Sequence, residues 1–120
     1  PCSSIGTIRR NPEIFFKKDG PKFIDLVSLQ EKLLNKSAEL LNKNGRILYM
    51  ACSFFREETF LQIEKFLRQN KDFYLDEFQL NEENIKKNNF IKNKSMITLP
   101  TKIKGFYIDG FFAAYLKKFR

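Results

Sequence analysis

Cys2 and Cys52 are the two residues of this chain best suited to covalent chemistry. The sequence contains no histidine, so neither a Cys-His nor a Ser-His pair can be assembled from these residues. Two thiols without imidazole also fail to complete a zinc site from this chain alone, and no metal is expected. A thiol becomes a nucleophile where its surroundings favour the thiolate. Cys52 has a position of that kind. It closes the short apolar run Arg46–Ala51 and precedes Glu57 and Glu58, which read as the opening turn of a helix. In open α/β sheets, active sites lie beyond the carboxyl ends of strands, and a helix N-terminus lowers the pKa of a nearby thiol. The same residue also suits a core position, as a small apolar side chain packed into a sheet; pattern leaves both readings open. Cys2 lies in a loop-like stretch with Gly6, Arg9 and Arg10. Adjacent arginines at the rim of a site can hold phosphate, or they can simply face water.

The elements that position these residues alternate. Residues 1–20 read as loop, punctuated by Gly6, Pro12 and Gly20. From Pro21 to about Lys43 the spacing predicts a helix with Phe23, Leu26, Leu29, Leu33, Leu40 and Leu41 near one face, ended by Asn44-Gly45. Arg46–Ala51 fits a strand buried on both faces of a parallel sheet. A second helix runs from Glu57 to about Gln69, with Phe60, Ile63 and Leu67 inward. Phe73–Leu80 reads as a strand, residues 81–95 as an exposed polar loop, and Met96–Leu99 as a short strand. Asp109-Gly110 reads as a turn and Phe111–Leu116 as a final strand. Such alternation is the closing portion of an α/β fold. The chain starts at Pro1 rather than Met and reads as a piece of a longer protein, with an apolar sheet edge exposed where neighbours belong.

The 120 residues suffice for one domain. No apolar run approaches a membrane span of roughly 20 residues, so no membrane partner is expected. The formal net charge is +8, and it is placed unevenly. From Lys86 to Arg120, the nine basic residues Lys86, Lys87, Lys92, Lys94, Lys102, Lys104, Lys117, Lys118 and Arg120 share the stretch with a single acid, Asp109. A basic end on a neutral body suggests an anionic partner, nucleic acid first, although an AT-rich coding bias also raises the lysine count.

Three segments, taken together, carry a resemblance. Pro1-Cys2-Ser3-Ser4-Ile5-Gly6-Thr7-Ile8-Arg9-Arg10 is the first, and Gly45-Arg46-Ile47-Leu48-Tyr49-Met50-Ala51-Cys52-Ser53 with Glu57-Glu58 is the second. Leu99-Pro100 with Asp109-Gly110-Phe111-Phe112-Ala113-Ala114-Tyr115-Leu116 is the third. In order and spacing they resemble the fourth, sixth and closing motifs of the Sun/Fmu/Nop-type RNA (cytosine-5) methyltransferases over essentially the whole chain. Ser4, Ala51, Arg56 and Thr59 depart from the usual glycine, threonine, proline and asparagine; both thiols are kept.

The resemblance implies a fold class: α/β, the C-terminal portion of a Rossmann-like class I S-adenosylmethionine-dependent methyltransferase fold, with about three to four strands and two main helices. It makes residues 1–120 the C-terminal part of the catalytic domain and puts the cofactor-binding half upstream of Pro1. It implies S-adenosyl-L-methionine as cofactor, Cys52 as the nucleophile that attacks cytosine, and Cys2 as the residue that assists product release. RNA is the implied partner. Ribosomal RNA is favoured by the Gly-Thr-Ile-Arg-Arg likeness, with Arg9 and Arg10 as candidates for its phosphates and the cytoplasm as the location. These 120 residues alone are expected to be inactive. The competing expectation, from a different class, is a non-catalytic basic RNA-binding module derived from a methyltransferase.

Overall fold

The computed structural model describes residues 1–78 and 89–120. Two α-helices, α1 (Phe23–Leu40) and α2 (Phe60–Gln69), accompany seven strands among these residues. The strands are β1 (Arg46–Ala51), β2 (Phe73–Asp76), β3 (Ile91–Lys92), β4 (Ser95–Thr98), β5 (Thr101–Ile103), β6 (Phe106–Ile108) and β7 (Phe111–Lys118). Two short 3-10 turns, Ile5–Thr7 and Pro12–Phe15, order the stretch that reads as loop.

The sheet is organised by β7. On one edge it pairs with β1, from Arg46 opposite Lys117 to Ala51 opposite Phe112. On its other edge β2 lies against residues 115–118 and β4 against residues 111–113. All three contacts are antiparallel. Hence β1 and β2 run parallel to each other with β7 between them, and α2 is the crossover that a parallel pair requires. Alternation along β7 sends Phe112, Ala114 and Leu116 to the face where both helices pack. There they meet Tyr49 and Ala51 of β1, Leu34 and Ala38 of α1, Ile63 and Phe66 of α2, and Phe73 of β2. Aromatic edges lock this core: Phe60 meets Phe112 and Phe66 meets Phe73, each with ring centroids 5.0 Å apart at steep angles.

Several expectations change. β1 is not a strand buried on both faces of a parallel sheet. It pairs antiparallel with β7, and its burial alternates. Tyr49 and Ala51 face the helices, while Leu48 and Met50 on the other face are exposed. An apolar run marks a strand but does not say that both faces are covered. On α1 the buried line is Gln30, Leu34 and Ala38, one residue round from the expected stripe; Leu29, Leu33 and Leu40 are exposed. Gln30 is drawn inward by hydrogen bonds that hydrophobic periodicity does not report. The second helix begins at Phe60 rather than Glu57, because Arg56–Glu58 forms a 3-10 turn and Thr59 (φ −126°, ψ −104°) interrupts the spiral. Residues 79–80 of the expected strand and residues 81–88 of the expected loop lie outside the described residues.

The fully buried Phe112 touches the rings of Tyr49 and Phe60. Phe112→Ala is predicted to destabilise the fold by about 3–5 kcal/mol, read from urea unfolding midpoints. A loss below about 1 kcal/mol would show that β7 does not centre the core.

Candidate active site at the two cysteines

Cys52 follows directly on the C-terminal end of β1, and the segments carrying Cys2 and Asp109-Gly110 are stitched to it through backbone. The Gly6 N–H donates to the Cys52 carbonyl at 3.0 Å, and the Gly110 N–H donates to the Gly6 carbonyl at 2.8 Å. Both glycines are required by this approach. A Cβ on Gly6 would fall 1.9 Å from the Gly110 carbonyl oxygen, and one on Gly110 would fall 2.9 Å from Gly6 Cα. Phe54 fills the space beside Gly110 and also lines a cleft of about 710 Å³ shared with Phe60, Phe90, Arg56 and Lys92.

A second set of contacts holds the Cys2 segment from below. Glu58 is fully buried. Its carboxylate accepts hydrogen bonds from the Ser3 N–H (2.7 Å), the Ser3 hydroxyl (2.6 Å) and Gln30 Nε2 (3.0 Å). Gln30 Nε2 also donates to the Pro1 carbonyl at 2.9 Å, and the Tyr49 hydroxyl donates to the Glu58 carbonyl at 2.8 Å. Gln62 Nε2 donates to the Val27 carbonyl and to Gln30 Oε1. Every member is bonded, as a buried polar group must be. Ser4, with a left-handed backbone (φ 59°), turns the chain between Cys2 and Gly6.

Both cysteines are free thiols and partly buried. Burial pushes the Cys52 thiol above its ordinary pKa, the charge of Cys2 and a hydrogen bond with it add to that, Asp109 raises it further, and Arg10 opposes. The Cys2 Sγ itself lies 3.8 Å from the Ser4 hydroxyl. The expected lowering by a helix N-terminus is not found: the α-helix begins only at Phe60, and Glu57 and Glu58 stand in the preceding turn. Burial also pushes the Tyr49 phenol up, with Glu58 and Cys2 adding, so it stays a hydrogen-bond donor.

Arg9 and Arg10 sit at the rim, both turned toward Asp109. Arg10 donates from Nε (3.0 Å) and Nη2 (2.5 Å) to Asp109 Oδ2. Arg9 Nη2 lies 3.9 Å from Oδ1, and its guanidinium rests 4.6 Å from the Tyr107 ring centroid. The Thr98 hydroxyl fixes the Asp109 carbonyl at 2.8 Å. The structure brings the segments of both candidate thiols together and places both candidate arginines against Asp109. Sequence reasoning did not anticipate Gln30 or Tyr49 as supports, since one amide in a leucine-rich helix and one phenol in an apolar strand carry no distinguishing pattern. Among the described residues no cluster of His, Cys, Asp or Glu could hold a metal ion.

Solved structures share this fold. The crystal structure of PH0851 superposes with a TM-score of 0.78 at 33% identity, covering 98% of this chain and 25% of that one. NSun6 from Pyrococcus horikoshii, crystallised with SFG, superposes at 0.71 and 21% identity over 100% of this chain and 28% of that one, a likeness of fold alone. The architecture is thus part of a Rossmann-like methyltransferase fold. The ribosomal RNA small subunit methyltransferase B of Escherichia coli is 35% identical over 118 residues, which is 98% of this chain and 24% of that protein, so the chain spans about a quarter of the length of the curated relatives it matches. Residues 1–117 match the family described as 16S rRNA methyltransferase RsmB/F, and the chain belongs to that family. The resemblance read from the three motifs is thereby borne out.

The thiol chemistry is open to test. Because the Cys52 pKa is raised, its thiolate is scarce at neutral pH, and alkylation by iodoacetamide is predicted to accelerate up to a pH above the ordinary thiol range. Cys2→Ala removes two of the influences that raise it, so the profile should move to lower pH; mass spectrometry of the modified Cys52 peptide reads this. An unmoved profile would mean that Cys2 does not raise the Cys52 pKa. Gly6→Ala is predicted to cost about 1–3 kcal/mol by overpacking, seen as a lowered unfolding midpoint. An unchanged midpoint would refute the close approach of Gly6 and Gly110.

Proposed function

We propose that this chain is the C-terminal part of the catalytic domain of an RNA (cytosine-5) methyltransferase acting on ribosomal RNA, with Cys52 as nucleophile and Cys2 as the group that assists release. The observation that carries the reading is the juxtaposition of the Cys2 segment with Cys52 at the end of β1, joined through the Cys52–Gly6–Gly110 backbone links. Cytosine carbon 5 is a weak nucleophile, and covalent catalysis divides one hard step into easier ones. The thiolate of Cys52 adds to carbon 6, and the electron pair of the 5,6 double bond passes to carbon 5. Once carbon 5 carries its new methyl group, a base removes the carbon 5 proton. The electrons of that bond restore the double bond and expel the Cys52 thiolate, with Cys2 assisting. The target cytosine must leave its stack to be reached by a thiol at a strand end.

The methyl group is the contribution of S-adenosyl-L-methionine, and SFG, an analogue of it, accompanies the NSun6 structure of like fold. The residues around the thiols do not themselves fit that cofactor. The two carboxylates that contact this centre are already engaged: Glu58 by Ser3 and Gln30, Asp109 by Arg10. Only Asp109 Oδ1, buried and without a hydrogen-bond partner, is left to accept, too little to hold both the ribose and the amino group of that cofactor. Its site is assigned to an upstream half of the domain, for which the uncovered Leu48 and Met50 on β1 offer an apolar packing face. Arg9 and Arg10 are assigned to RNA phosphate, and a cytoplasmic location accords with a ribosomal RNA substrate.

The complete protein, incubated with S-adenosyl-L-methionine and ribosomal RNA, tests this on a denaturing gel. A covalent protein–RNA adduct is predicted to accumulate in Cys2→Ala and to vanish in Cys52→Ala. Absence of adduct in every version, with RNA binding intact, would replace the enzyme by a non-catalytic RNA-binding module. Methyl transfer by residues 1–120 alone would overturn the assignment of the cofactor site to an upstream half.

A further inference from the structure

The chain between Thr98 and Phe111 is an excursion the sheet does not need. Thr98 and Phe111 are already paired partners in β4 and β7, so a tight turn would connect them. Instead residues 99–110 leave the sheet and form a separate two-stranded hairpin, β5 against β6, with Lys102 opposite Tyr107 and Ile103 opposite Phe106. Its two-residue tip has positive φ at both Lys104 (47°) and Gly105 (85°), the turn whose twist suits a hairpin. The hairpin buries little of what it carries: Phe106 is 77% exposed and Tyr107 57% exposed. Exposed aromatics on a structurally dispensable hairpin call for a partner.

The surrounding chemistry narrows that partner. Lys102 Nζ lies 5.3 Å from the Tyr107 ring centroid, and Arg9 lies 4.6 Å from it. The ring thus holds two cations in place by cation–π attraction. The hairpin contains no acid, and Asp109 at its base is occupied by Arg10. Positive charge interleaved with an exposed aromatic is the composition that binds single-stranded nucleic acid: cations track phosphate and rings stack bases. The placement ties this surface to the reacting centre. Asp109 joins the base of the hairpin to Arg10, and Gly110 is bonded to Gly6, which is bonded to Cys52.

We infer that the β5–β6 hairpin is a docking platform for unpaired RNA flanking the target nucleotide, with Phe106 stacking a base and Arg9 and Lys102, ordered by Tyr107, holding phosphate. This rests on the methyltransferase reading for the identity of the RNA, but its test is separate. Binding of a fluorescent single-stranded ribosomal RNA oligonucleotide of about a dozen nucleotides, and of its duplex, is measured by anisotropy on the complete protein and on Phe106→Ala and Lys102→Gln. Phe106→Ala is expected to weaken single-strand binding about five- to hundredfold, to spare duplex binding, and to leave the thermal midpoint unchanged because the ring is exposed. Lys102→Gln is expected to flatten the salt dependence of binding. Unchanged single-strand affinity in Phe106→Ala overturns the platform, while adduct formation at Cys52 still decides the methyltransferase reading. Equal losses on single strand and duplex, or equal loss of binding to anionic lipid vesicles, also overturn it, in favour of diffuse charge. Weakened single-strand binding without any Cys52 adduct upholds the platform and removes the enzyme.

Discussion

A carboxylate removed from water must be surrounded by donors, and the Glu58 side chain imposes that condition on much of the molecule. Its donors come from far along the chain: Ser3 from the Cys2 segment and Gln30 from α1. The backbone carbonyl of Glu58 is held by Tyr49 from β1. One residue thereby fixes how the first segment, the first helix and the strand that leads to Cys52 meet. The cost of burying it explains two local irregularities. The chain makes a 3-10 turn at Arg56–Glu58 before α2 starts, and α1 turns an amide, not a leucine, to the interior. Losing any one donor would leave a buried acceptor underserved, which costs more than the bond itself contributes.

Above this polar layer, β7 does the corresponding work with apolar groups. It lies between β1 and β2, which are parallel and joined by α2. Its Phe112, Ala114 and Leu116 alternate onto the helical face, where α1 and α2 cover them. Gly110 sits immediately before β7, so the strand that centres the core also delivers the backbone link to Gly6. Core and site are therefore not independent: a shift of β7 along β1 by one residue would reverse its faces and carry Gly110 away from Cys52.

This division also explains what was legible beforehand. Apolar periodicity located both helices, β1, β4 and β7, because those depend on local propensity and on burial against a sheet; the turn expected at Asp109-Gly110 falls instead at Lys104-Gly105, and residues 109–110 simply join β6 to β7. Periodicity misassigned the inward line of α1 because Gln30 is buried for hydrogen bonds made with Pro1 and Glu58, which are distant in sequence. On β1, Leu48 and Met50 are apolar yet exposed, the face proposed above to meet an upstream half. The thiols stand out by residue type, and the roles proposed for them come from the likeness of three motifs; nothing in spacing alone reveals that Cys2 raises the pKa of Cys52. The hairpin at residues 101–108 escaped notice because three-residue strands are too short to show a period.

The basic excess from Lys86 to Arg120, which in the sequence looks like one patch, is divided by the fold into separate duties. Lys118 turns inward: its Nζ donates to the carbonyls of Ala38 and Leu41 at the end of α1 and stands 3.7 Å from Asp72. A cation there satisfies carbonyls that a helix leaves unbonded and complements its dipole, so it is structural. Lys102 is carried outward on the hairpin beside Tyr107. The single acid of that stretch, Asp109, is spent on Arg10 at the rim of the thiol centre, where Arg10 in turn lowers the Cys52 pKa that burial raises. The same pair of residues thus belongs to the surroundings of the Cys52 thiol, and a net charge count contains none of this.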